Sequence, residues 1–521
     1  MKPFLILWSF AGLFSFQIAS AAQEQSPTES SPANTPNRQV LSLEDIRLTI
    51  QAREKTGRAR VVHLAVRTDG IAGTGSEADP YDASSAARFD ALMAAFYDLF
   101  AEQALTIVLG PGVFQTNARD SYGPNVGRNL GAQHWLHANW TLRGSGMFAT
   151  EIRNVNQNTN GVTMFNSIGG TWGGGKEEGN ITVEELTLNP QKSAFSDGEA
   201  SEAIAIAGDG TTATGTKTAH GLTIGTEIRI AKATNARFNG VFILTAVTKD
   251  TFSFSNETIG AATATVQRSG QWTVVRLNGG RLRLHRVRAI DCGSSAPETE
   301  CWPLWLGSGD GNLIDEGVVE NCSGYISAIA IFPGTHSMVR NSRVDATGCA
   351  GCLGISGASG VVTGNYIKSA NYAIYADTFA NGEGTIITNN IIDSPADGGI
   401  YLRPNDHHRG IIIANNVVTG GHASIGIGIN PLTNNTRQNP KTWLNARREK
   451  IWIDDVTVTN NSVGEKLLVF GQIRGLKVVD NTAGGGHFFS MKGQSRVCRG
   501  NRTCLGEIPV GLHNRRTSSR D

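Results

Sequence analysis

The chain has 521 residues, of which 62 are glycine and 17% are charged. It is too long for one ordinary domain, and its high glycine and low charge argue against a coiled coil or a disordered chain. Because 46 basic and 45 acidic residues leave a net charge of +1, no overall field attracts a nucleic acid or an anionic membrane.

The first 21 residues have the pattern of a secretory signal peptide. Lys2 precedes an apolar stretch over 4–16, and Ala19–Ala21 supplies small residues for cleavage. The apolar stretch is too short to span a bilayer, and no later run approaches about 18 apolar residues. We therefore expect a secreted protein, periplasmic or extracellular, with no integral membrane segment after cleavage. Residues 22–40 are rich in Gln, Ser, Pro and Thr, which predicts a disordered linker.

An N-terminal segment with a capping helix is predicted over 41–104. Asp82 or Ser84 can cap a run of apolar residues at helical spacing. The members of this run are Phe89, Leu92, Met93, Phe96, Leu99 and Phe100. We expect this helix to cover one end of the structure that follows.

An internal repeat organises the rest of the chain. Short apolar segments end in Asn at positions 321, 341, 365, 390, 416, 461 and 481, with steps of 20, 24, 25, 26, 45 and 20. A second apolar series at 329, 353, 374, 400 and 427 has steps of 24, 21, 26 and 27. Two strands in roughly 24 residues leave no room for a crossover helix, so each strand must pair with its copy one coil away. Asn at one place per coil suits a left-handed turn, where stacked amides can also bond to one another.

These segments resemble the right-handed parallel β-helix proteins of the pectate lyase-like superfamily. The resemblance covers roughly 105–483, and the strand-like segments at 107–114 and 142–146 are similar to that group's first coils. It implies an all-β solenoid with first coils over 105–210 and a main β-helix over 272–497. The same architecture serves lyases, hydrolases, epimerases, tailspikes and adhesins, so fold alone does not give function.

Residues 211–271 interrupt the coil pattern with alternating strands and glycine turns, which predicts a small inserted all-β domain.

Seven cysteines suit an oxidising compartment, although their number is odd. Cys498 and Cys504 are the most favourable pair, because six residues of separation close a small loop easily. Cys349 and Cys352 lack the βαβ context of a thioredoxin-like redox centre. The tail over 498–521 is predicted to be disordered.

Alternation along the second series predicts which side chains face outward. With Ile374, Ile400 and Ile427 placed inward, the outward set is Tyr375, Asp377, Tyr401, Arg403 and Asn430. Corresponding residues of adjacent coils lie about 4.8 Å apart, so the tyrosines should stack and the polar residues should form a row. Such an open face suits an elongated sugar polymer. The alternative is a solvated face with an ordinary surface ion pair.

The segment after Arg403 concentrates ionisable residues in Asp406, His407, His408 and Arg409. Neighbouring loops over 378–384 and 431–450 are longer than tight turns and can wall a groove. The alternative for the histidine pair is a solvated loop. The predicted substrate-binding residues are Tyr375, Asn430, Arg409, Trp305 and Arg437.

The favoured chemistry is β-elimination on a uronate, which needs a group that neutralises the carboxylate and a base near the α proton. The predicted catalytic residues are Arg403, His407, His408, Tyr401 and Asp377. The resemblance also implies Ca²⁺ as a neutralising cofactor, for which Asp377 and Asp406 are the candidate ligands.

Other reactions fit less well. Hydrolysis needs two carboxylates flanking the bond, and no tight acidic cluster is visible. C5-epimerases carry Asp-Pro-His followed by an acid, whereas Arg403 and Asn405 replace the Asp and the His here. A glycan-binding solenoid without catalysis is the remaining alternative. We expect the protein to bind a polysaccharide and no nucleic acid, as a monomer or a homotrimer.

Overall fold

The computed structural model describes residues 60–117, 132–155, 163–167, 179–191, 204–218, 220, 222, 224, 227–268, 274–292, 302–307, 309–322, 327–331, 336–347, 349, 352–357, 360–378, 382–396, 398–404, 408–421, 423–427, 453–471, 473–484, 487–491 and 495–499. The predicted signal peptide and linker, and nearly all of the predicted tail, lie outside these residues.

The regular secondary structure of the described residues is almost entirely strand. Helix α1 spans Ala86–Leu99, and a 3₁₀ turn spans Ala236–Phe238. The strands are β1 Arg60–Ala65, β2 Tyr81–Asp82, β3 Leu105–Leu109, β4 Gly112–Thr116, β5 Ala132–Leu136, β6 Trp140–Arg143, β7 Thr150–Asn154, β8 Thr163–Ser167, β9 Thr182–Asn189, β10 Ile204–Asp209, β11 Thr212–Thr216, β12 Glu227–Ala231, β13 Gly240–Val247, β14 Thr251–Ser255, β15 Ile259–Arg268, β16 Val275–Asn278, β17 Arg283–Ile290, β18 Leu304–Gly307, β19 Leu313–Asp315, β20 Val318–Glu320, β21 Ser327–Ile331, β22 Ser337–Arg340, β23 Arg343–Asp345, β24 Leu353–Ser356, β25 Gly360–Thr363, β26 Tyr366–Lys368, β27 Tyr372–Thr378, β28 Gly382–Glu383, β29 Ile386–Thr388, β30 Ile391–Asp393, β31 Gly398–Pro404, β32 His408–Ala414, β33 Val417–Thr419, β34 Ala423–Ile427, β35 Ile453–Thr459, β36 Ser462–Val463, β37 Leu467–Gly471, β38 Ile473–Arg474, β39 Leu476–Val479, β40 Thr482–Ala483, β41 His487–Met491 and β42 Ser495–Arg499.

Successive coils pair in parallel, strand on strand. β22, β23 and β24 form one coil and pair with β25, β26 and β27 of the next. In these coils the first two strands lie in a 25-stranded sheet (sheet A), and the third lies in an 11-stranded sheet (sheet B). The prediction of a right-handed parallel β-helix is thereby confirmed. The prediction of two strands per coil is wrong for the coils from β19 to β27, because each of these has three.

A residue in the left-handed backbone conformation divides the expected first strand of the coil into two. Asn341, Asn389, Asn415 and Asn460 have φ between 52° and 57°, the region that Asn tolerates better than most residues. Each bends the chain between two strands of sheet A. Gly364 has the same role in its coil, with φ of 69°.

From Gly364 onward, the residue after each such bend is an Asn, and these residues form an inward ladder of amides. Each side-chain Nδ2 donates to the Oδ1 of its neighbour one coil on, at 2.8 to 2.9 Å. The rungs are Asn365, Asn390, Asn416, Asn461 and Asn481. Asn416 bonds directly to Asn461, so the 45-residue step is one coil plus an insertion. Asn321 follows β20 instead, in a different turn, and is not a rung.

Helix α1 packs on the first strands of the solenoid. The Phe89 ring lies 5.9 Å from the Phe114 ring and 5.4 Å from the buried His134 ring. The Thr116 hydroxyl donates to Asp90 at 2.5 Å and lies 2.9 Å from Nε2 of His134. The Asp90 carboxylate is 3.5 Å from Nε2, but burial dominates and lowers the pKa of His134 to about 3.

The strands from β10 to β15 close into a six-stranded barrel with antiparallel pairing. Its core is separate from that of the solenoid and is built around Phe238, Phe252 and Phe254. The barrel occupies the part of the chain where the sequence pattern departs from the coils.

Two disulfides join described cysteines, Cys292 to Cys322 and Cys349 to Cys352. The first links adjacent coils, directly after the paired strands β17 and β20. The predicted partner Cys504 lies outside the described residues. Within the described ranges, no helix is long and apolar enough to cross a membrane.

Candidate functional site

The predicted outward row on sheet B exists as far as Arg403. Tyr375 pairs with Tyr401, and Asp377 pairs with Arg403, on the adjacent strands β27 and β31. The two tyrosine rings stack at 5.5 Å with an interplanar angle of 16°. For Asp377 and Arg403 the structure describes the backbone, which places the two residues side by side. The fourth member, Asn430, lies outside the described residues.

A third tyrosine joins this pair. The Tyr372 ring lies 5.9 Å from that of Tyr375 and 5.4 Å from that of Tyr401. Strict alternation from Ile374 would place Tyr372 inward, so the sequence pattern missed it.

Small residues explain why Tyr372 faces outward. A Cβ on Gly354 or on Gly399 would lie 2.7 Å and 2.5 Å from the core side chains of Ile367 and Val418. These glycines therefore face inward, directly before the inward Ile355 and Ile400. Where two successive residues of a strand both face inward, the alternation is broken, and the residue before them faces outward.

The tyrosine face is buried, whereas the sequence predicted an open face. Tyr375 is 8% exposed and Tyr401 is 3% exposed. They do not belong to the solenoid core but form their own cluster with Tyr372 and Leu353. The rings shield one another because each stacks on its neighbour one coil away.

The predicted pairing beyond Arg403 is also corrected. Ile400 pairs with Ile425 rather than with Ile427, which pairs with Leu402. A shift of two residues keeps every side chain on its face, so alternation alone cannot detect it. Leu353 is displaced in the same way, because Ile355 is the residue that pairs with Ile374.

Part of the ionisable segment after Arg403 is strand. β31 ends at Pro404 and β32 begins at His408, so the chain between the two sheets is three residues. His407 and Asp406 lie in that interval, outside the described residues, as does Arg437. Of His408, the structure describes the backbone, at the start of β32 in sheet A.

Arg409 and Trp305 do not join the tyrosines. Arg409 is exposed on sheet A, where it pairs with Asp455 at 3.3 Å. Trp305 lies on the same face of sheet B, but Ala330 and Ser356 separate it from Tyr375 in the row.

One cluster with metal-ligand chemistry occurs on sheet A. Donor atoms of His285, Asp315 and Glu316 all lie within 4.8 Å of one another. Arg340 pairs with Asp315 at 2.8 Å, and Arg286 approaches Glu316 at 3.6 Å. The guanidinium groups already balance these carboxylates, and the hydrogen bond from Arg340 lowers the pKa of Asp315, so the cluster is explained as an ion-pair network.

Comparisons with solved structures give matches at TM-scores below 0.5. A tailspike protein of E. coli bacteriophage HK620 is 10% identical with a TM-score of 0.49, covering 89% of this chain and 73% of that chain. An exopolygalacturonase from Thermotoga maritima is 10% identical with a TM-score of 0.45, covering 87% of this chain and 96% of that chain. The A-module of the mannuronan C-5 epimerase AlgE4 of Azotobacter vinelandii is 11% identical with a TM-score of 0.36, covering 87% and 100%. No protein-family model and no curated protein sequence matches the chain. At these identities the likeness concerns the fold alone.

Proposed function

We propose that the protein is a secreted lyase that cleaves a uronate-containing polysaccharide by β-elimination on the outward face of sheet B. The observation that carries this proposal is the pairing of Asp377 with Arg403 directly beyond the stacked Tyr375 and Tyr401. An acid and a base on adjacent coils, next to a rigid aromatic pair, offer fixed charges along the direction in which a polymer would lie.

The proposed roles follow the demands of the reaction. Arg403 neutralises the uronate carboxylate, which makes the proton α to it acidic. His407 or His408 removes that proton, and the electron pair forms a C=C bond as the glycosidic C–O bond breaks. The leaving oxygen takes up a proton, so no oxidant or reductant is required.

The tyrosines receive a different role from the one that their outward position suggested. Because Tyr375 and Tyr401 are buried, they act as positioning residues that fix the strand segments carrying Asp377 and Arg403. Should the reaction use Ca²⁺, Asp377 and Asp406 are the proposed oxygen ligands, and a chelator would then abolish turnover.

The test is turnover of a panel of polymers: pectate, alginate, glucuronan and sulfated glycans. β-Elimination gives an unsaturated product that absorbs near about 235 nm. We expect Arg403→Gln to abolish this signal while polymer binding is largely retained, and Arg283→Gln, which removes an exposed charge from sheet A, to leave it unchanged.

Each alternative function has its own readout in the same panel. New reducing ends without absorbance indicate a glycoside hydrolase, and altered uronate composition without cleavage indicates a C5-epimerase. Binding without any chemical change indicates a glycan-binding solenoid. Any of these three results would contradict the proposal that the protein is a lyase.

A further inference from the structure

The outward row of sheet B continues well beyond the tyrosines. Toward the N-terminal end, Tyr375 is followed by Ser356, Ala330, Trp305, Arg276 and Asn166, each in register with the next. At about 4.8 Å per strand, Trp305 lies roughly 14 Å from Tyr375. The two small residues between them leave aromatic and polar groups concentrated at both ends of the row.

Three side chains meet near Gly307. A Cβ at Gly307 would lie 2.3 Å from Cη2 of Trp305 and 2.4 Å from Oδ1 of Asn278. The indole ring and the Asn278 amide therefore meet over this glycine. The Arg276 guanidinium carbon lies 4.9 Å from the centroid of the Trp305 ring, in the geometry of a cation–π contact. Its withdrawal from water lowers the pKa of Arg276.

Two amide atoms at this place have no hydrogen bond within the described chain. They are Oδ1 of Asn166 and Nδ2 of Asn278. Asn166 is 7% exposed and Asn278 is 9% exposed, so water does not satisfy them. A buried polar group without a partner costs about 1–3 kcal/mol. Such groups persist in native proteins where a ligand or another function uses them.

We propose that Arg276, Asn278, Asn166 and Trp305 form a second site on this face, which binds the carboxylate-bearing ring of a uronate unit. The guanidinium pairs with the carboxylate, and Nδ2 of Asn278 donates to it. Oδ1 of Asn166 accepts from a ring hydroxyl, and the indole covers the apolar face of the sugar. This inference rests on the proposed function and deepens it, because it names an acidic sugar as the unit recognised about three coils from Tyr375.

Isothermal titration of the full chain tests the site. The probes are oligomers of galacturonate, mannuronate and glucuronate, their carboxyl-reduced neutral counterparts, and sodium sulfate. We expect Arg276→Gln to weaken uronate binding about 10- to 100-fold, the loss of one charge-assisted contact, and to leave neutral oligomers unaffected. Arg283→Gln is the matched control and should bind like the wild type.

A second variant separates binding from a structural role. In Asn278→Leu the orphaned amide is removed, so we expect an unchanged or higher melting temperature together with weaker uronate binding. A residue that merely holds the fold together would lower the melting temperature when replaced. Loss of stability in Asn278→Leu with uronate affinity intact would therefore overturn the assignment.

The outcomes also distinguish this site from the proposed function. If Arg276→Gln still turns over polymer and binds uronate with the affinity of the wild type, the second site is overturned and the proposed function is not. If sulfate binds as tightly as uronate, and Arg276→Gln loses both, the site is a general anion site and not a sugar site. If no oligomer binds and no polymer is turned over, both proposals fail.

Discussion

Replacing Asn390 by Ala should remove one rung of the amide ladder. The Asn390 amide accepts from N and Nδ2 of Asn365 at 3.0 and 2.9 Å. It donates to the Val362 carbonyl at 3.0 Å and to Oδ1 of Asn416 at 2.9 Å. Four buried bonds at a net value of about 1 kcal/mol each predict a loss of about 4 kcal/mol in the free energy of unfolding.

The neighbouring residue provides the control. Asn389 has φ of 57° and contributes conformation rather than a rung, so Asn389→Gly should change stability by less than about 1 kcal/mol. Urea unfolding followed by circular dichroism gives both free energies by linear extrapolation. Equal effects of the two substitutions, or a loss below about 1 kcal/mol in Asn390→Ala, would refute the idea that the ladder holds adjacent coils together.

Asn390→Asp tests the direction of the bonds. The carboxylate keeps the acceptor for Asn365 but directs a negative oxygen at the Val362 carbonyl and at Oδ1 of Asn416. Destabilisation at pH 7 should therefore exceed that of Asn390→Ala. Because burial raises the pKa of such a carboxyl, protonation should restore part of the stability as the pH falls. A variant equally unstable at both pH values would contradict this reasoning.

The remaining predictions concern the solenoid core and the row on sheet B. The pKa of His134 is depressed to about 3, so stability is complete above about pH 6.5 and falls by about 2 kcal/mol at pH 5; His134→Phe should flatten this dependence in thermal melts across pH. Replacing Cys292 and Cys322 by Ser should lower stability by about 3–4 kcal/mol, because their bond closes a 30-residue separation; unchanged urea midpoints would argue against it. Gly307→Ala should displace the Trp305 ring and cost about 1–3 kcal/mol, with altered indole fluorescence as the measurement.

The candidate site was predictable in outline because its residues sit on a repeating strand. Period-two alternation put Tyr375 next to Tyr401 and Asp377 next to Arg403, and the register has these pairs. Tyr372 was missed, because two successive inward residues break the alternation locally. Arg409 lies on a strand of the other sheet, which its proximity to Arg403 in the sequence does not reveal.

The sequence by itself determined that this protein is a parallel solenoid, since apolar strands repeating every two dozen residues can bury their faces only by pairing with their own copies. It also placed helix α1 and the amide ladder, because helical spacing and recurring Asn are local signals. Only the tertiary structure decided the register of Ile425, the pairing of Cys292 with Cys322, and the burial of the tyrosine face. These depend on which coil each strand meets, and a slip of two residues leaves the pattern of faces unchanged.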